Sequence, residues 1–463
     1  MSLKSKMDLL SGSLIKNILL FTLPIVLSGV LQLVFNAADL IVVGKFDTVN
    51  GSFAQAAIGS TGSMINLIIG IFLGISVGVN VVIAHLVGMK NNEGLKTAIQ
   101  TAMLLGVIAG VVIAFAGFIF TKPLLKFIAT ADDVMPFAVD YLRIYFIGAP
   151  FAMIYNFGSA IMRAYGDTKR PMIYLSIGGV ANVFMNLFTV IVLKMGVRGV
   201  AISTSISNVI ACVLVVATLI KTGEPIKLQL KGMKLHINWV LRILQLGLPA
   251  GIQGSLFSVS NVIIQSAINS FGDPHITAGS GNAANVEGFI YIAMNAFYQT
   301  TVTFMGQSVG AKNYKLLKKI YFTALVLVFV TGSVLGVGAF ILREPLMMLY
   351  SSNRQDIDAG MVRISIICLT YYLCGMMDVS TGAIRGMGNS LVPMIISLIG
   401  ACGFRIVWIY TVFKAWKSIY SLYISYPITW IVTFIALFIF ATYYRQRLEK
   451  NDVPEIIKVK KNA

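Results

Sequence analysis

One aspartate, Asp39, stands in a stretch that is otherwise almost entirely apolar, LPIVLSGVLQLVFNAADLIVVGKF. Asn36 precedes it by three residues, a spacing that places both side chains on one face of a helix. An ionisable group within a long apolar helix costs several kcal/mol in a membrane, so its presence indicates a function. A carboxyl group there can exchange a proton or hold a small cation. We therefore interpret Asp39, with Asn36, as an ion-coupling position; for Asn36, a purely structural hydrogen bond between helices is an equal alternative.

A second polar group, Asn182, Asn186 and Thr204, also stands in apolar sequence. Asn182 and Asn186 are four residues apart, so a helix presents them on the same face. One carboxylate combined with amide and hydroxyl oxygens suits a small hard cation or a proton relay. We predict that these three residues join Asp39 in an ion-coupling site. Interhelical hydrogen bonding without a function is the alternative.

The second half of the chain has its own ionisable residues, Glu287, Asp378 and Arg405. Glu287 falls in the first turns of a predicted helix, 283–308, where a carboxylate favourably meets the helix dipole. Asp378 and Arg405 are expected on neighbouring helices, where they would form either a fixed ion pair or a gate. The sequence leaves both interpretations open.

Large aromatic and methionine side chains are frequent and would line any cavity between the helices. Methionine gives an adaptable apolar surface, and aromatic ring faces attract cations. Six of these residues are candidates to line a cavity for flat organic cations: Phe35, Met64, Tyr155, Tyr291, Phe297 and Tyr298. The alternative for each of them is packing against lipid or against a neighbouring helix.

Composition identifies the elements that must position these residues. Apolar residues make up 57 % of the chain and charged residues 12 %, whereas a soluble domain carries roughly a quarter charged residues. Runs of about 20 apolar residues can cross a bilayer as helices. The chain is therefore predicted to be an all-α polytopic membrane protein with about twelve transmembrane helices, at 14–44, 55–86, 95–120, 136–162, 171–193, 198–220, 239–270, 283–308, 317–341, 358–381, 392–413 and 418–441.

Several classes of function are disfavoured by the sequence. It contains no phosphate-binding loop, no dinucleotide-binding glycine motif and no H-E-x-x-H motif, and its three histidines are far apart. We therefore expect no enzyme activity, no cofactor and no metal other than a transported Na⁺.

The formal net charge of +18 is unevenly distributed. Lysine and arginine cluster in the N-terminal segment, in alternate loops and in the C-terminal tail, whereas the loop 271–282 has neither. This asymmetry is typical of a multi-pass membrane protein with both termini in the cytoplasm. It argues against nucleic acid as a partner.

The two halves of the chain repeat each other. AIMRAYGDTKRPM at 160–172 corresponds to GAIRGMGNSLVPM at 382–394, an offset of 222 residues. The repeat predicts two six-helix bundles related by an axis along the membrane normal. We assign 1–220 to an N-lobe, 221–238 to a cytoplasmic linker, 239–445 to a C-lobe and 446–463 to a basic tail. Asp39, Asn182, Asn186 and Thr204 correspond in the second half to Ile264, Phe404, Trp408 and Tyr426.

The first-helix segment around Asp39, the loops RAYGDTKRPM and IRGMGNSLVPM, and the segment GVRGVAISTS resemble the MATE (multidrug and toxic compound extrusion) family, most closely its bacterial DinF-related branch. The resemblance implies export of cationic or polyaromatic compounds in exchange for H⁺ or Na⁺, across the plasma (inner) membrane of a bacterium. It also implies that Asp39 binds the coupling ion, with Asn182 and Thr204 as partners. Asn186 departs from the family pattern, which often has aspartate at this position, so the identity of the ion stays open.

These features together predict an antiporter that works by alternating access, in which binding of the cation at Asp39 expels a small organic molecule. No feature of the sequence requires an oligomer. A lipid-linked saccharide flippase is the alternative transporter, and it would need a strongly basic cavity. A receptor or scaffold without transport is the alternative from another class.

Overall fold

The apolar runs fold into helices because only a helix or a closed barrel pairs every backbone polar group away from water. The computed structural model describes residues 7–47, 51–127 and 130–451, and within these ranges there is no strand. The twelve long helices expected from the sequence are confirmed. They are α1 Leu14–Phe46, α2 Gly51–Gly88, α3 Asn92–Phe127, α4 Met135–Tyr165, α5 Lys169–Val192, α6 Gly196–Lys221, α7 Ile237–Asn269, α8 Pro274–Gly310, α9 Tyr314–Ile341, α10 Arg354–Gly386, α11 Leu391–Phe413 and α12 Ser425–Asn451.

Eleven of these segments are both long and apolar enough to span a membrane within the described part of the chain. The exception is α8, whose N-terminal half is rich in small and polar residues. Several helices run further than the sequence predicts; α12, for example, continues to Asn451, beyond the expected start of the tail at 446. Residues 452–463 of the predicted tail lie outside the described residues.

Some helices contain wider or tighter turns. The last turns of α5, Phe188–Val192, are π-helical. In α11, π-helical turns occur twice, at Leu398–Gly403 and Ile409–Phe413. Single π turns inside helices are frequent at functional sites, and two of these three segments lie beside polar residues singled out in the sequence.

The residues separate into two compact units, each containing most of one repeat. The first unit contains Leu23–Gly251, and the second contains Leu9–Thr22 and Ile252 onward. The division therefore does not coincide with the lobes 1–220 and 239–445. Two helices, α1 and α7, change unit part-way along their length, in each case within a few residues of a proline, Pro24 or Pro249.

Contacts at the beginnings of these two helices account for the division. In the second unit, the hydroxyl of Thr22 lies 2.8 Å from that of Thr300. In the first unit, Nε1 of Trp239 donates to Oγ1 of Thr97 at 3.0 Å. The beginning of α7 also packs closely on α2, where a Cβ placed on Gly74 would lie 2.1 Å from the backbone nitrogen of Gly251. The N-terminal part of α1 is thus packed in the second unit, and the N-terminal part of α7 is packed in the first. In both helices the remaining residues belong to the other unit.

The interior of each unit is built around one central helix. In the first unit α4 packs against α2, α3 and α6, and in the second α10 packs against α8, α9 and α12. All four cysteines are buried free thiols, which is consistent with a role in packing.

The close contact between α2 and α7 gives a stability prediction. Gly74→Ala inserts a methyl group where the backbone of Gly251 already lies, and such overpacking costs about 1–3 kcal/mol. Gly59, on the same helix, has nothing within 4 Å of an added Cβ, so Gly59→Ala should be neutral or slightly stabilising. Thermal unfolding of the purified variants in detergent measures both changes. Equal midpoints for the two variants would contradict the packing described.

Candidate functional site

Asp39 lies in the C-terminal third of α1 and is only 6 % exposed. Its carboxylate is held by side chains from two other helices of the first unit. Nδ2 of Asn186, on α5, donates to Oδ1 at 2.5 Å, and the hydroxyl of Thr204, on α6, donates to Oδ2 at 3.4 Å. The structure thus joins three elements around one carboxylate.

Asn182 completes this group. Its side chain lies 3.3 Å from the Thr204 hydroxyl and 3.2 Å from the Asn186 amide nitrogen. With its amide oriented so that the oxygen accepts from the backbone N–H of Thr204 at 3.3 Å, its nitrogen lies 2.9 Å from Oδ1 of Asp39. The four residues Asp39, Asn182, Asn186 and Thr204, called the Asp39 site below, therefore form one hydrogen-bonded set.

One acceptor in the Asp39 site is left without a donor. Asn186 is completely buried, and its Oδ1 has no hydrogen-bond partner among the described residues. A buried amide oxygen without a partner costs free energy unless a bound species satisfies it. Carboxylate, amide and hydroxyl oxygens together are ligands suited to a hard cation, and the carboxylate alone can bind a proton.

Two tyrosines near this site were missed in the sequence. Tyr141 and Tyr145 on α4 are close enough to Asp39 to interact with it electrostatically, and their rings stack with centroids 6.1 Å apart. Their positions four residues apart give them a shared helix face. That spacing was the available signal, but tyrosine is too common in this chain for it to stand out.

Asn36 is not part of the Asp39 site. Its side chain is exposed, and it makes none of the hydrogen bonds that hold Asp39. The neighbouring Phe35, predicted to line a cavity, packs its ring against α5, where a Cβ on Gly179 would lie 1.8 Å from Cε2. The spacing of three between Asn36 and Asp39 therefore did not bring both side chains to the same partners.

Glu287 forms a buried ion pair that the sequence did not predict. Nε and Nη2 of Arg363 donate to its two carboxylate oxygens at 2.7 and 2.9 Å. The remaining Nη1 donates to the hydroxyl of Ser280 at 2.9 Å, and the hydroxyl of Tyr423 donates to the same oxygen at 2.9 Å. Every charged group in this cluster has a partner, which indicates a structural connection between α8 and α10.

The expectation that Glu287 meets the N-terminal dipole of its helix is wrong. The helix α8 begins at Pro274, well before the predicted start at 283, so Glu287 lies several turns inside it. The carboxylate that caps α8 is Asp273, which accepts from the backbone N–H of His275 at 2.8 Å.

Asp378 and Arg405 do not form the ion pair considered from the sequence. Asp378 makes no hydrogen bond or ion pair within 4.0 Å among the described residues; Arg385, seven residues further along α10, is the charge that acts on it. Arg405 instead donates from Nη2 to the hydroxyl of Thr429 at 3.2 Å, and its guanidinium lies 4.3 Å from the ring centroid of Tyr426.

The other aromatic residues predicted to line a cavity are found in different surroundings. Tyr155 donates to the backbone oxygen of Pro171 at 3.0 Å. Tyr298 and Phe297 are buried in the second unit, where Tyr298 accepts from Arg385 at 2.6 Å, and Tyr291 is 44 % exposed. The side chain of Met64 lies outside the described residues.

Comparison with known proteins places these features in context. The family model MatE matches residues 24–189 and 249–411. The chain is 26 % identical to the probable multidrug resistance protein YoeA of Bacillus subtilis over 95 % of both chains, and 26 % identical to YpnP, a second such protein of the same organism, over 96 % of this chain and 98 % of that one. Its fold is similar to the outward-facing structure of a multidrug resistance MATE transporter of the MOP superfamily, with a TM-score of 0.89, 19 % identity, and coverage of 97 % of this chain and 100 % of the other.

Proposed function

Because the chain belongs to the MatE family of multi-pass membrane transporters, we propose that it exports small organic molecules in exchange for a cation that binds at the Asp39 site. The cation is H⁺ or Na⁺, and the exported molecules are cationic or polyaromatic compounds. Members of the family are transporters and not enzymes. The relatives YoeA and YpnP are probable multidrug resistance proteins, which supports this class of substrate.

The observation that carries the proposal is the buried carboxylate of Asp39 together with the unpartnered oxygen of Asn186. A fully satisfied set of polar groups would serve only to join α1, α5 and α6. Here one acceptor has no donor among the described residues and lies in the same set as a negative charge, an arrangement that suits a bound cation. With one carboxylate in the set, loading by a single monovalent cation or proton neutralises the site.

The helix α1 is the element through which binding at the Asp39 site would be coupled to transport. It begins in the second unit and carries Asp39 in the first, with Pro24 next to the change of unit. Proline removes one backbone hydrogen bond within a helix and so allows it to bend there. In the proposed alternating-access cycle, loading of Asp39 repacks α1, and this change accompanies release of the organic molecule.

The membrane orientation follows the same proposal. The basic clusters at the N-terminus, in alternate loops and in the tail support a cytoplasmic position for both termini in a bacterial cell. The Asp39 site then lies nearer the outer surface, since Asp39 is seven residues before the end of α1 at Phe46. No observation favours the lipid-linked saccharide flippase.

Efflux of a fluorescent organic cation from proteoliposomes tests the proposal. Proton and sodium gradients are imposed separately, with the membrane potential clamped. We expect transport under one of the two gradients and none without a gradient. Equal movement of the dye in all conditions, or no movement in any, would contradict cation-coupled export.

A further inference from the structure

Buried positive charge in the second unit is not fully matched by negative charge. Two of its buried arginines are ion-paired: one through Glu287 and one through Glu449. The other two have no carboxylate within 4.0 Å among the described residues. The four are Arg363, Arg445, Arg385 and Arg405.

Arg385 is explained by the fold. It lies in the last turn of α10, where a cation stabilises the helix C-terminus. Its Nη1 and Nη2 donate to Tyr298 and Gln253 at 2.6 and 2.7 Å. The first repeat has an arginine, Arg163, in the last turn of α4 at the corresponding position. A residue present in both copies at a helix end serves the common architecture.

Arg405 has no such explanation. It lies within the span α11, is 5 % exposed, and its counterpart in the first repeat is Val183. Of its five N–H donors, one meets the hydroxyl of Thr429, and Nε, like that of Arg385, is buried without a partner among the described residues. Guanidinium stays charged in proteins, so this side chain cannot become neutral. The Thr429 hydroxyl and the Tyr426 ring compensate this charge only in part. Because a buried charge without a counter-charge is unfavourable, an anion bound beside Arg405 would stabilise the second unit.

The backbone beside Arg405 is also altered. The π-helical turns Ile409–Phe413 have a counterpart in the first repeat, Phe188–Val192. The π-helical turns Leu398–Gly403, which directly precede the short helical stretch with Arg405, have none, because α5 is regular over Lys169–Leu187. The second repeat thus contains one π-helical segment, next to Arg405, that the first repeat lacks. Such turns are frequent at functional sites.

The position of Arg405 within the repeat is informative. Its neighbour Phe404 corresponds to Asn182 of the Asp39 site, and Tyr426, whose ring lies 4.3 Å from the guanidinium, corresponds to Thr204. Arg405 therefore lies beside the counterparts of two Asp39-site residues, although its own counterpart is Val183 and that of Asp39 is Ile264. We propose that Arg405, Tyr426 and Thr429 form an anion-binding subsite that takes a singly charged group. That group is either the carboxylate of a zwitterionic aromatic substrate or a free chloride ion.

The substrate arm of this proposal rests on the proposed function, since only a transporter has an exported substrate. Equilibrium binding to the purified protein nevertheless tests the anion-binding subsite without any ion gradient. The probes are Nε-dansyl-lysine, which carries a carboxylate and an ammonium group, and its methyl ester, which keeps only the ammonium. Trp430, whose ring centroid lies 5.7 Å from that of Tyr426, transfers excitation energy to a dansyl group bound nearby. Thermal unfolding in chloride and in gluconate is measured in parallel.

If the group is a substrate carboxylate, the wild-type protein should bind the acid at least about tenfold more tightly than the ester, as expected for a charge-assisted hydrogen bond. If it is a free anion, the two probes should bind equally, and chloride should raise the unfolding midpoint relative to gluconate. The preference for the acid probe, or the stabilisation by chloride, should disappear in Arg405→Gln. It should return at least partly in Arg405→Lys. The matched control, Arg354→Gln, removes an arginine that is 59 % exposed in the same unit and should behave as wild type.

Two results would overturn the subsite: wild-type protein with neither a carboxylate preference nor a chloride effect, or an Arg405→Gln variant that keeps either one. The first needs no variant, so a folding failure of Arg405→Gln does not leave the proposal untested. Asp39→Asn should retain the anion preference even if coupling is lost. Failure of the proposed coupling site is therefore distinguishable from failure of the subsite.

Discussion

The Asp39→Asn variant is expected to fold normally and to lose gradient-driven efflux completely. Asparagine keeps the size of the side chain and one of its oxygens, but it carries no charge and cannot take up a proton. For a cation at about 4 Å and an effective dielectric constant of about 20, loss of one unit charge weakens binding by about 4 kcal/mol, or about a thousandfold. Dye efflux from proteoliposomes under each gradient measures the loss.

A control for this variant is available on the same helix. Asn36 is exposed and makes none of the hydrogen bonds of the Asp39 site, so Asn36→Ala should retain efflux close to that of the wild type. Gel filtration and thermal unfolding establish that both variants are folded. Normal efflux by folded Asp39→Asn protein would show that Asp39 is not the coupling residue.

The second large effect is expected from the buried Glu287–Arg363 ion pair. Glu287→Gln leaves the Arg363 guanidinium buried without a counter-charge, and breaking a buried pair in this way costs about 3–5 kcal/mol. The unfolding midpoint in detergent should therefore fall sharply. The double variant Glu287→Gln/Arg363→Met removes both charges and should recover much of the loss.

An exposed ion pair of the same unit supplies the comparison. Glu344 pairs with Arg354 at the surface, where solvent screens the interaction, so Glu344→Gln should leave the midpoint unchanged. If Glu287→Gln and Glu344→Gln behave alike, or if the double variant is less stable than the single one, the buried pair does not have the structural role described.

The fold could be predicted from the sequence because a chain that crosses lipid must pair all of its backbone polar groups internally. Long apolar runs must be helical, and their count together with the repeat at an offset of 222 residues predicted twelve helices. The Asp39 site was accessible for the same reason: within such runs a polar residue is rare, so Asp39, Asn182, Asn186 and Thr204 were conspicuous. Their meeting from three helices then required only that α1, α5 and α6 pack together.

The remaining contacts could not be predicted from the sequence. They depend on which helices are neighbours and on how each helix is rotated about its axis, and apolar runs do not specify either. Arg363 meets Glu287 across 76 residues of sequence. The predicted start of α8 at 283, instead of Pro274, placed Glu287 in the first turns of the helix. Asn36 shares a helix with Asp39 but is exposed. The change of unit within α1 and α7 was also inaccessible, because it depends on contacts such as that between Thr22 and Thr300.

Reciprocal exchange is the most direct test of the central claim that a cation bound at Asp39 drives export. Proteoliposomes with no initial ion gradient receive a gradient of the organic cation, and movement of H⁺ and Na⁺ is followed with a pH-sensitive dye and with radioactive sodium. We expect wild-type protein to move one of the two ions in the opposite direction to the organic cation, and Asp39→Asn to move neither. Ion movement that persists in Asp39→Asn and disappears in Asp378→Asn would contradict the account and place coupling in the second unit.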